Sequence, residues 1–279
     1  MTKGTIIGET KFMGVLNVTP DSFSDGGRFG SLDELARVAR QMVLDGAMIL
    51  DIGGESSGPG SKDVSLEEEL ARVVPAVWKV REELDDMGAG GVMISVDTWK
   101  SEVAEAAIAA GANMINDVTA GCGDERIFEV VARSGQNGLR AFLCLMYSKD
   151  DTARTTQDVP DYEKFEGGVM GRVKEFLMKR VEVVRKYGVD DDRIILDPGM
   201  GAFVSGDAEP SYEIIDRIEE LCELGFPVLV GTSRKSFLCE GQPDSQARLD
   251  ATLASTVWLR GRVDYLRVHD VLENMTVKG

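Results

Sequence analysis

Polar side chains that could do chemistry recur in this chain at one kind of place, directly after a short apolar run. Asn17, Asp51, Asp97, Asn116 with Asp117, Asp197, the run Gly231-Thr232-Ser233-Arg234-Lys235-Ser236, and Arg267 with the sole histidine, His269, all fit that description. A single acid there reads equally well as a helix cap; the same placement after nearly every apolar run does not. The set divides by chemistry. Asp97, Asn116 and Asp197 match the amide and amino edge of a heterocycle, because a carboxylate accepts two N–H donors and a carboxamide offers both polarities. Asn17, Arg267, His269 and the Gly-Thr-Ser turn suit a phosphate: a forked cation, an imidazole, a hydroxyl and a neutral oxygen for Mg²⁺. Arg267 and His269, two apart on a strand, share one face. Arg234 and Arg267 point to an anion as ligand, and Lys235 can serve either partner. The stretch MGVLNVTPDSFSDGGRF, Met13–Phe29, turns from apolar to polar at Asn17 and places Asp21 and Asp25 around Phe23 in a Pro- and Gly-bearing loop, a candidate active-site lip.

The elements that must carry these residues alternate. Phe12–Thr19 reads as a strand, and Ser31 caps a helix from Leu32 to about Gly46. Met48–Ile52 is a strand, and Ser65 with Glu68 forms a capping box before the stripe Leu66, Leu70, Val73, Val74, Val77. Strands at Val92–Val96, Met114–Val118 and Leu139–Met146 alternate with helices at Lys100–Ala110 and Asp124–Arg133. A long helix from about Tyr162 to Tyr187 precedes a strand at Arg193–Leu196, and a helix capped near Ser211 spans Tyr212–Leu224. Pro227–Val230, a helix at Ser245–Leu259 and Tyr265–Val268 complete the series. Apolar strands joined through helices belong to parallel sheets buried on both faces. About eight such units in this length predict an α/β fold of (β/α)₈ TIM-barrel type. A doubly wound sheet is the alternative, but no G-x-G-x-x-G follows the first strand. No composition shift marks a boundary, so residues 1–279 read as a single domain with its core at about 12–271.

Composition narrows the partners. Of 279 residues 43% are hydrophobic, enough for a core, and no apolar run is long enough to span a bilayer. Met1-Thr2-Lys3-Gly4 lacks a basic-then-apolar leader, so the expected location is cytoplasmic, with no membrane partner. The balance of 31 basic against 48 acidic residues, net −17, opposes nucleic-acid binding. An anionic ligand against that field needs a local basic pocket, which a divalent metal can supplement. Cys122, Cys144, Cys222 and Cys239 have no C-x-x-C spacing and read as reduced packing residues.

Seven segments in order carry a family resemblance: NVTPDSFSDGG (Asn17–Gly27), DIGGESSGPG (Asp51–Gly60), SVDT (Ser95–Thr98), INDV (Ile115–Val118), DPGMG (Asp197–Gly201), GTSRKS (Gly231–Ser236) and RVHD (Arg267–Asp270). From about Phe12 to Val271 the chain resembles the dihydropteroate synthases. The resemblance implies condensation of dihydropterin-CH₂-pyrophosphate with p-aminobenzoate, giving dihydropteroate and pyrophosphate. It implies ring binding by Asp97, Asn116, Asp197 and Lys235, and pyrophosphate with Mg²⁺ at Asn17, Arg267 and His269. Asp51 joins the substrate-binding set. The aminobenzoate would lie among Phe23, Ser57, Pro59, Lys235 and Ser236, where sulfonamides compete. The implied mechanism is dissociative, with Asp25, Asp197, Lys235, Arg267 and His269 as the catalytic set and Asp25 beside the pterin methylene cation. The assembly the resemblance allows is a homodimer.

Departures from the family pattern accompany the match. Gly58 stands where an arginine is usual, with Arg28 or Lys62 the candidate replacement. After Asp197-Pro198-Gly199 the aromatic is displaced to Phe203, and Val204 replaces a lysine. Tyr147 stands where histidine is common, and the tail after His269 is short for a full eighth helix. Two other readings share the ring-binding acids: a pterin-dependent methyltransferase domain using methyltetrahydrofolate and a corrinoid partner, and a non-catalytic pterin-binding paralogue. The Lys235 motif and the pair Arg267/His269 weigh against the first.

Overall fold

The computed structural model describes residues 9–18, 31–56, 61–136, 138–150, 155–239 and 244–278. Eight parallel strands, β1 (Lys11–Asn17), β2 (Ala47–Gly53), β3 (Met93–Asp97), β4 (Met114–Asp117), β5 (Phe142–Met146), β6 (Ile194–Asp197), β7 (Leu229–Val230) and β8 (Tyr265–Val268), form one sheet. Its order is β6-β5-β4-β3-β2-β1-β8-β7. The two ends meet where Leu196 bridges Val228, and Leu196 N–H donates to the Pro227 carbonyl at 2.9 Å. The result is a nearly closed barrel, as the alternation of strands and helices predicted.

The helices surround it: α1 (Leu32–Leu44), α2 (Leu66–Asp86), α3 (Ser101–Ala109), α4 (Arg126–Gln136), α5 (Gly168–Lys186), α6 (Glu209–Asp216), α7 (Glu219–Cys222), α8 (Ser245–Leu259) and α9 (Val271–Thr276). Ser31 and Ser65 cap α1 and α2 by accepting from Glu34 N–H and Glu68 N–H. The Glu68 carboxylate turns to Arg72. No helix is long and apolar enough to cross a membrane among the described residues.

Most ends shift by a residue or two from the sequence reading, and three differences have a local cause. The strand read from Leu139 begins at Phe142, because Arg140 has φ 40° and Leu139 is exposed. The long helix starts at Gly168 after a separate 3₁₀ turn at Tyr162–Lys164; Gly167 and Gly168 have φ of 81° and 66°, which a continuing helix excludes. Tyr212–Leu224 is two helices, and Ser211 lies inside α6 rather than capping it, its Oγ accepting from Gly201 N–H at 2.9 Å. The tail docks in spite of its shortness: buried Asn274 of α9 accepts from Thr256 Oγ1 on α8 at 2.6 Å.

Strand alternation then decides what fills the barrel. Met13, Ile49, Met114, Cys144, Ile195 and Leu229 pack together inside it, with Met93, Phe142 and Tyr265 against them. Two residues further along β2, β3, β4, β6, β7 and β8 stand Asp51, Ser95, Asn116, Asp197, Gly231 and Arg267. The interior is thus an apolar plug under a polar mouth at the C-terminal ends of the strands, where barrel enzymes carry their sites. A slip of one residue in any strand would turn its polar residue outward.

Candidate active site

The β-ladder sets the first row of the site. Asn17 pairs in register with Gly53, Gly53 with Asp97, and Asp97 with Asn116, across four adjacent strands. A Cβ on Gly53 would lie 3.6 Å from Asn17 Oδ1 and 3.7 Å from Asp97 Cβ, so the glycine leaves a gap between an amide and a carboxylate.

Arg267 ties the row to the layer beneath. Its Nε donates to Asp51 Oδ2 at 2.6 Å and its Nη2 to Asp97 Oδ2 at 3.1 Å, joining β8 to β2 and β3. Asn116 Nδ2 donates to the same Asp51 oxygen at 3.4 Å. Asp51 is fully buried, and its Oδ1, Ser95 Oγ and Asn116 Oδ1 have no hydrogen-bond partner among the described residues. Buried polar atoms without partners are costly, and three in one place mark a region built for something other than stability.

The electrostatics follow from burial. Asp97 is pushed up to about 7, by burial first and then by Asp51, with Arg267 opposing. Burial likewise raises Asp197 to about 6, against the Gly199 N–H, which donates to its Oδ1 at 2.7 Å, and against Lys235. Lys235 is lowered to about 8 by burial, with Asp197 opposing. For Arg267 burial opposes the charge, but Asp51 and Asp97 outweigh it and hold the guanidinium cationic. Asp51, Asp97, Asp197, Lys235 and Arg267 therefore form one interacting group: Asp197 acts on Arg267, and Arg267 on Lys235. Opposed groups whose pKa values converge towards neutrality are the signature of a site.

Lys235 Nζ sits 4.7 Å from the Phe203 ring centroid. Phe203 packs with Val118 and Met146, with Trp99 against them, giving the mouth one apolar wall beside its charged one. The displaced aromatic thus meets Lys235, whereas Val204 is buried in the outer core and its carbonyl accepts from Tyr162 OH at 2.6 Å. Tyr147 is also core, stacked edge-on to Phe176 at 5.3 Å.

On the other side of the mouth, Ser233 Oγ lies 3.0 Å from His269 Nδ1, joining the ends of β7 and β8. His269 also lines a groove of about 680 Å³ between α1 and α9, with Arg37 and Arg40. Arg234, read from sequence as an anion ligand, is instead engaged with Asp270, its Nε donating at 3.0 Å. Asp117, neighbour of Asn116, points to the opposite face and is spent on local structure, accepting from Thr119 N–H at 2.8 Å and from Gly121 N–H at 2.6 Å. Ser236 is exposed. Phe23, Asp25, Ser57 and Pro59, with Arg28 and Gly58, lie outside the described residues; Lys62 is exposed.

Sequence reasoning missed a buried ionic tripod beside the site. Lys100 Nζ donates to Glu55 Oε2 at 2.7 Å, to the Val64 carbonyl at 2.9 Å and to Glu69, which is fully buried and also accepts from Thr98 Oγ1 at 2.7 Å. It fastens the chain leaving β2 to α2 and to the end of β3. Its signal was an acid, Glu69, on the apolar face Leu66-Leu70-Val73. Among the described residues no group of three or more His, Cys, Asp or Glu could hold a metal ion.

A barrel of this kind, with buried acids, an amide and cations sharing one mouth, is the architecture of the pterin-binding enzymes, and the family model for "Pterin binding enzyme" matches residues 13–269. The dihydropteroate synthase of Synechocystis sp. is 42% identical over 265 residues, 94% of this chain and 86% of that protein. A dihydropteroate synthase from Clostridium difficile, crystallised in the presence of pteroic acid, superposes with TM-score 0.82 at 39% identity, covering 99% of this chain and 96% of that one. That of Xanthomonas albilineans with 4-aminobenzoic acid gives 0.81 at 35% identity, covering 96% and 90%. The chain belongs to the dihydropteroate synthases, transferases of the folate pathway within the pterin-binding enzyme family.

Proposed function

We propose that this protein joins 6-hydroxymethyl-7,8-dihydropterin pyrophosphate to p-aminobenzoate, releasing pyrophosphate, with the residues at the barrel mouth in the following roles. Asp97, Asn116 and Asp197 accept and donate along the pterin edge, and the partnerless Asn116 Oδ1 is an acceptor waiting for a ring N–H. Arg267 and His269 meet the diphosphate. Asp51 does not touch substrate in this reading; it holds the Arg267 Nε while Nη2 exchanges Asp97 for phosphate oxygens. This refines its place in the substrate-binding set to that of a positioning residue.

Asn17 fits a Mg²⁺ that arrives with the diphosphate: Mg²⁺ keeps several waters and needs few protein ligands, so a single amide oxygen beside the diphosphate suffices. Held there by Asn17 and the diphosphate, it would neutralise charge on the leaving group. The methylene C–O bond breaks first. Ionised Asp197, its carboxyl near 6, favours electron release from the ring, and Arg267 with His269 stabilises the departing pyrophosphate. The aminobenzoate nitrogen then forms the C–N bond and gives up one proton to solvent or to the departed pyrophosphate. No side-chain nucleophile is needed. Lys235, over the Phe203 ring, lies between the two substrates, with Ser236 towards the aminobenzoate. A homodimer is the assembly that accompanies this family reading.

The observation that carries the proposal is Arg267 bridging Asp51 and Asp97 within reach of Asp197 and Lys235, which unites the ring-reading acids and an anion-binding cation in one cavity. The test is incubation of the purified protein with both substrates and Mg²⁺, with dihydropteroate followed by mass spectrometry. Tight pterin binding without product would leave a binding protein; methyl transfer from methyltetrahydrofolate would replace the reaction altogether.

A further inference from the structure

Ser233 is held more rigidly than a loop serine needs to be. Thr232 Oγ1 on one side of it lies 2.7 Å from Ser255 Oγ, and Arg234 N–H on the other donates to Thr252 Oγ1 at 2.9 Å, so α8 grips both neighbours. Arg234 in turn grips Asp270, which follows His269. Between these ties the Ser233 hydroxyl, only 8% exposed, makes two hydrogen-bond contacts among the described residues, both to His269: its Oγ accepts from the His269 backbone N–H at 3.2 Å and lies 3.0 Å from the ring Nδ1.

The proton of that hydroxyl has one destination. Ser233 Oγ already accepts from a backbone N–H, and among the described residues Nδ1 is the acceptor within hydrogen-bond distance. Were Nδ1 protonated, it too would donate to Oγ, and a nearly buried O–H would be left without an acceptor, which costs its full desolvation. With Nδ1 bare, every group in the chain backbone–hydroxyl–imidazole is satisfied.

We infer that Ser233 is a positioning residue that fixes the tautomer of His269, holding Nδ1 as acceptor so that the neutral ring carries its proton on Nε2. A ring so fixed offers a donor to an anion and not a repelling lone pair. This rests on the proposed diphosphate role of His269, and deepens it: the affinity of the site for a diphosphate is set partly by a hydroxyl that never touches it.

His269 is the only histidine in the chain, so its two ring nitrogens give an unambiguous set of long-range ¹H–¹⁵N correlations in the labelled full-length protein. At about pH 8, above the ordinary histidine pKa, wild type is expected to show a pyridine-like Nδ1 and a pyrrole-like Nε2. Ser233→Ala should shift both nitrogens towards a mixture of tautomers, and Ser233→Thr should restore them. In parallel, Ser233→Ala should raise KM for the pterin pyrophosphate about tenfold and leave binding of 6-hydroxymethylpterin, which lacks the diphosphate, unchanged. A pyrrole-like Nδ1 in wild type, or unchanged nitrogens in Ser233→Ala, overturns the inference. Adding inorganic pyrophosphate with Mg²⁺ to wild type separates the underlying reading: it should perturb the His269 signals, and their indifference would overturn the diphosphate role itself.

Discussion

Replacing Asp197 by asparagine should make the protein more stable and nearly inactive, with a pH signature that identifies the cause. The carboxyl is 5% exposed and its pKa is raised from 3.8 to about 6, chiefly by burial. A carboxylate with a raised folded-state pKa costs stability as pH climbs from the unfolded value through the folded one, after which the cost stays constant. At 1.36 kcal/mol for each pH unit the full cost above pH 6 is about 3 kcal/mol. Asparagine removes that cost and can still accept the Gly199 N–H through Oδ1. Part of the gain is returned, because Lys235 loses an attracting neighbour. A net gain of about 1–2 kcal/mol at pH 8 is expected, or about 2–6 °C in Tm for a chain of this size. Thermal melts of wild type and variant from about pH 4 to pH 8 should coincide at the acid end and diverge as Asp197 ionises. Dihydropteroate formation should fall by at least about a hundredfold, the scale of losing one preorganised charge. A variant less stable than wild type at pH 8, or a stability difference independent of pH, would refute the claim that burial of this charge is a cost borne for function.

Other perturbations test neighbouring parts of the site. The kcat/KM for the pterin substrate should rise as Asp97 ionises near pH 7 and fall as Lys235 deprotonates near pH 8, and a flat profile from about pH 6 to 9 would contradict both assignments. Lys100→Met strands the fully buried Glu69 without its counter-charge and should cost about 3–5 kcal/mol in urea denaturation. Adding Glu69→Gln to that variant should recover part of the loss; equal instability of the single and double variants would exclude the tripod as its source. Chelating divalent metal should abolish product formation, and Mg²⁺ should restore it, while calorimetry shows pterin binding without the diphosphate unaffected; loss of that binding as well would move the metal out of the diphosphate site.

Much of the architecture was readable because local chemistry agreed with the global fold. Ser31 and Ser65 announce helices that begin at Leu32 and Leu66, and Ser245–Leu259 and Tyr265–Val268 have the limits their patterns suggest. Errors fell where a local feature competes with periodicity. The glycine pair at 167 and 168 interrupts an apolar stripe that otherwise runs on, and Arg140 turns the chain before a strand whose composition starts earlier. Asn116 and Asp117 are adjacent polar residues with opposite fates, one inside the barrel and one capping a turn, since successive side chains of a strand face opposite ways. Arg234 and Arg267 look alike in sequence, yet the first is committed to Asp270 and the second to the mouth.

The sequence alone determined the alternating units, the parallel sheet they require, and the inventory of acids, amides and cations at strand ends, because hydrophobic period, caps and strand-end placement are local properties. Only the tertiary structure decided which of those groups meet. Arg267 reaches Asp51 across 216 positions of chain, and burial in the closed barrel pushes Lys235 and Asp197 towards neutrality while the attraction between them opposes it. Closure of the sheet brings β8 beside β1 and the end of β6 against Val228, and burial then turns ordinary charges into a site. Dielectric environment and distance are properties of the folded mouth as a whole, and no segment of the chain carries them by itself.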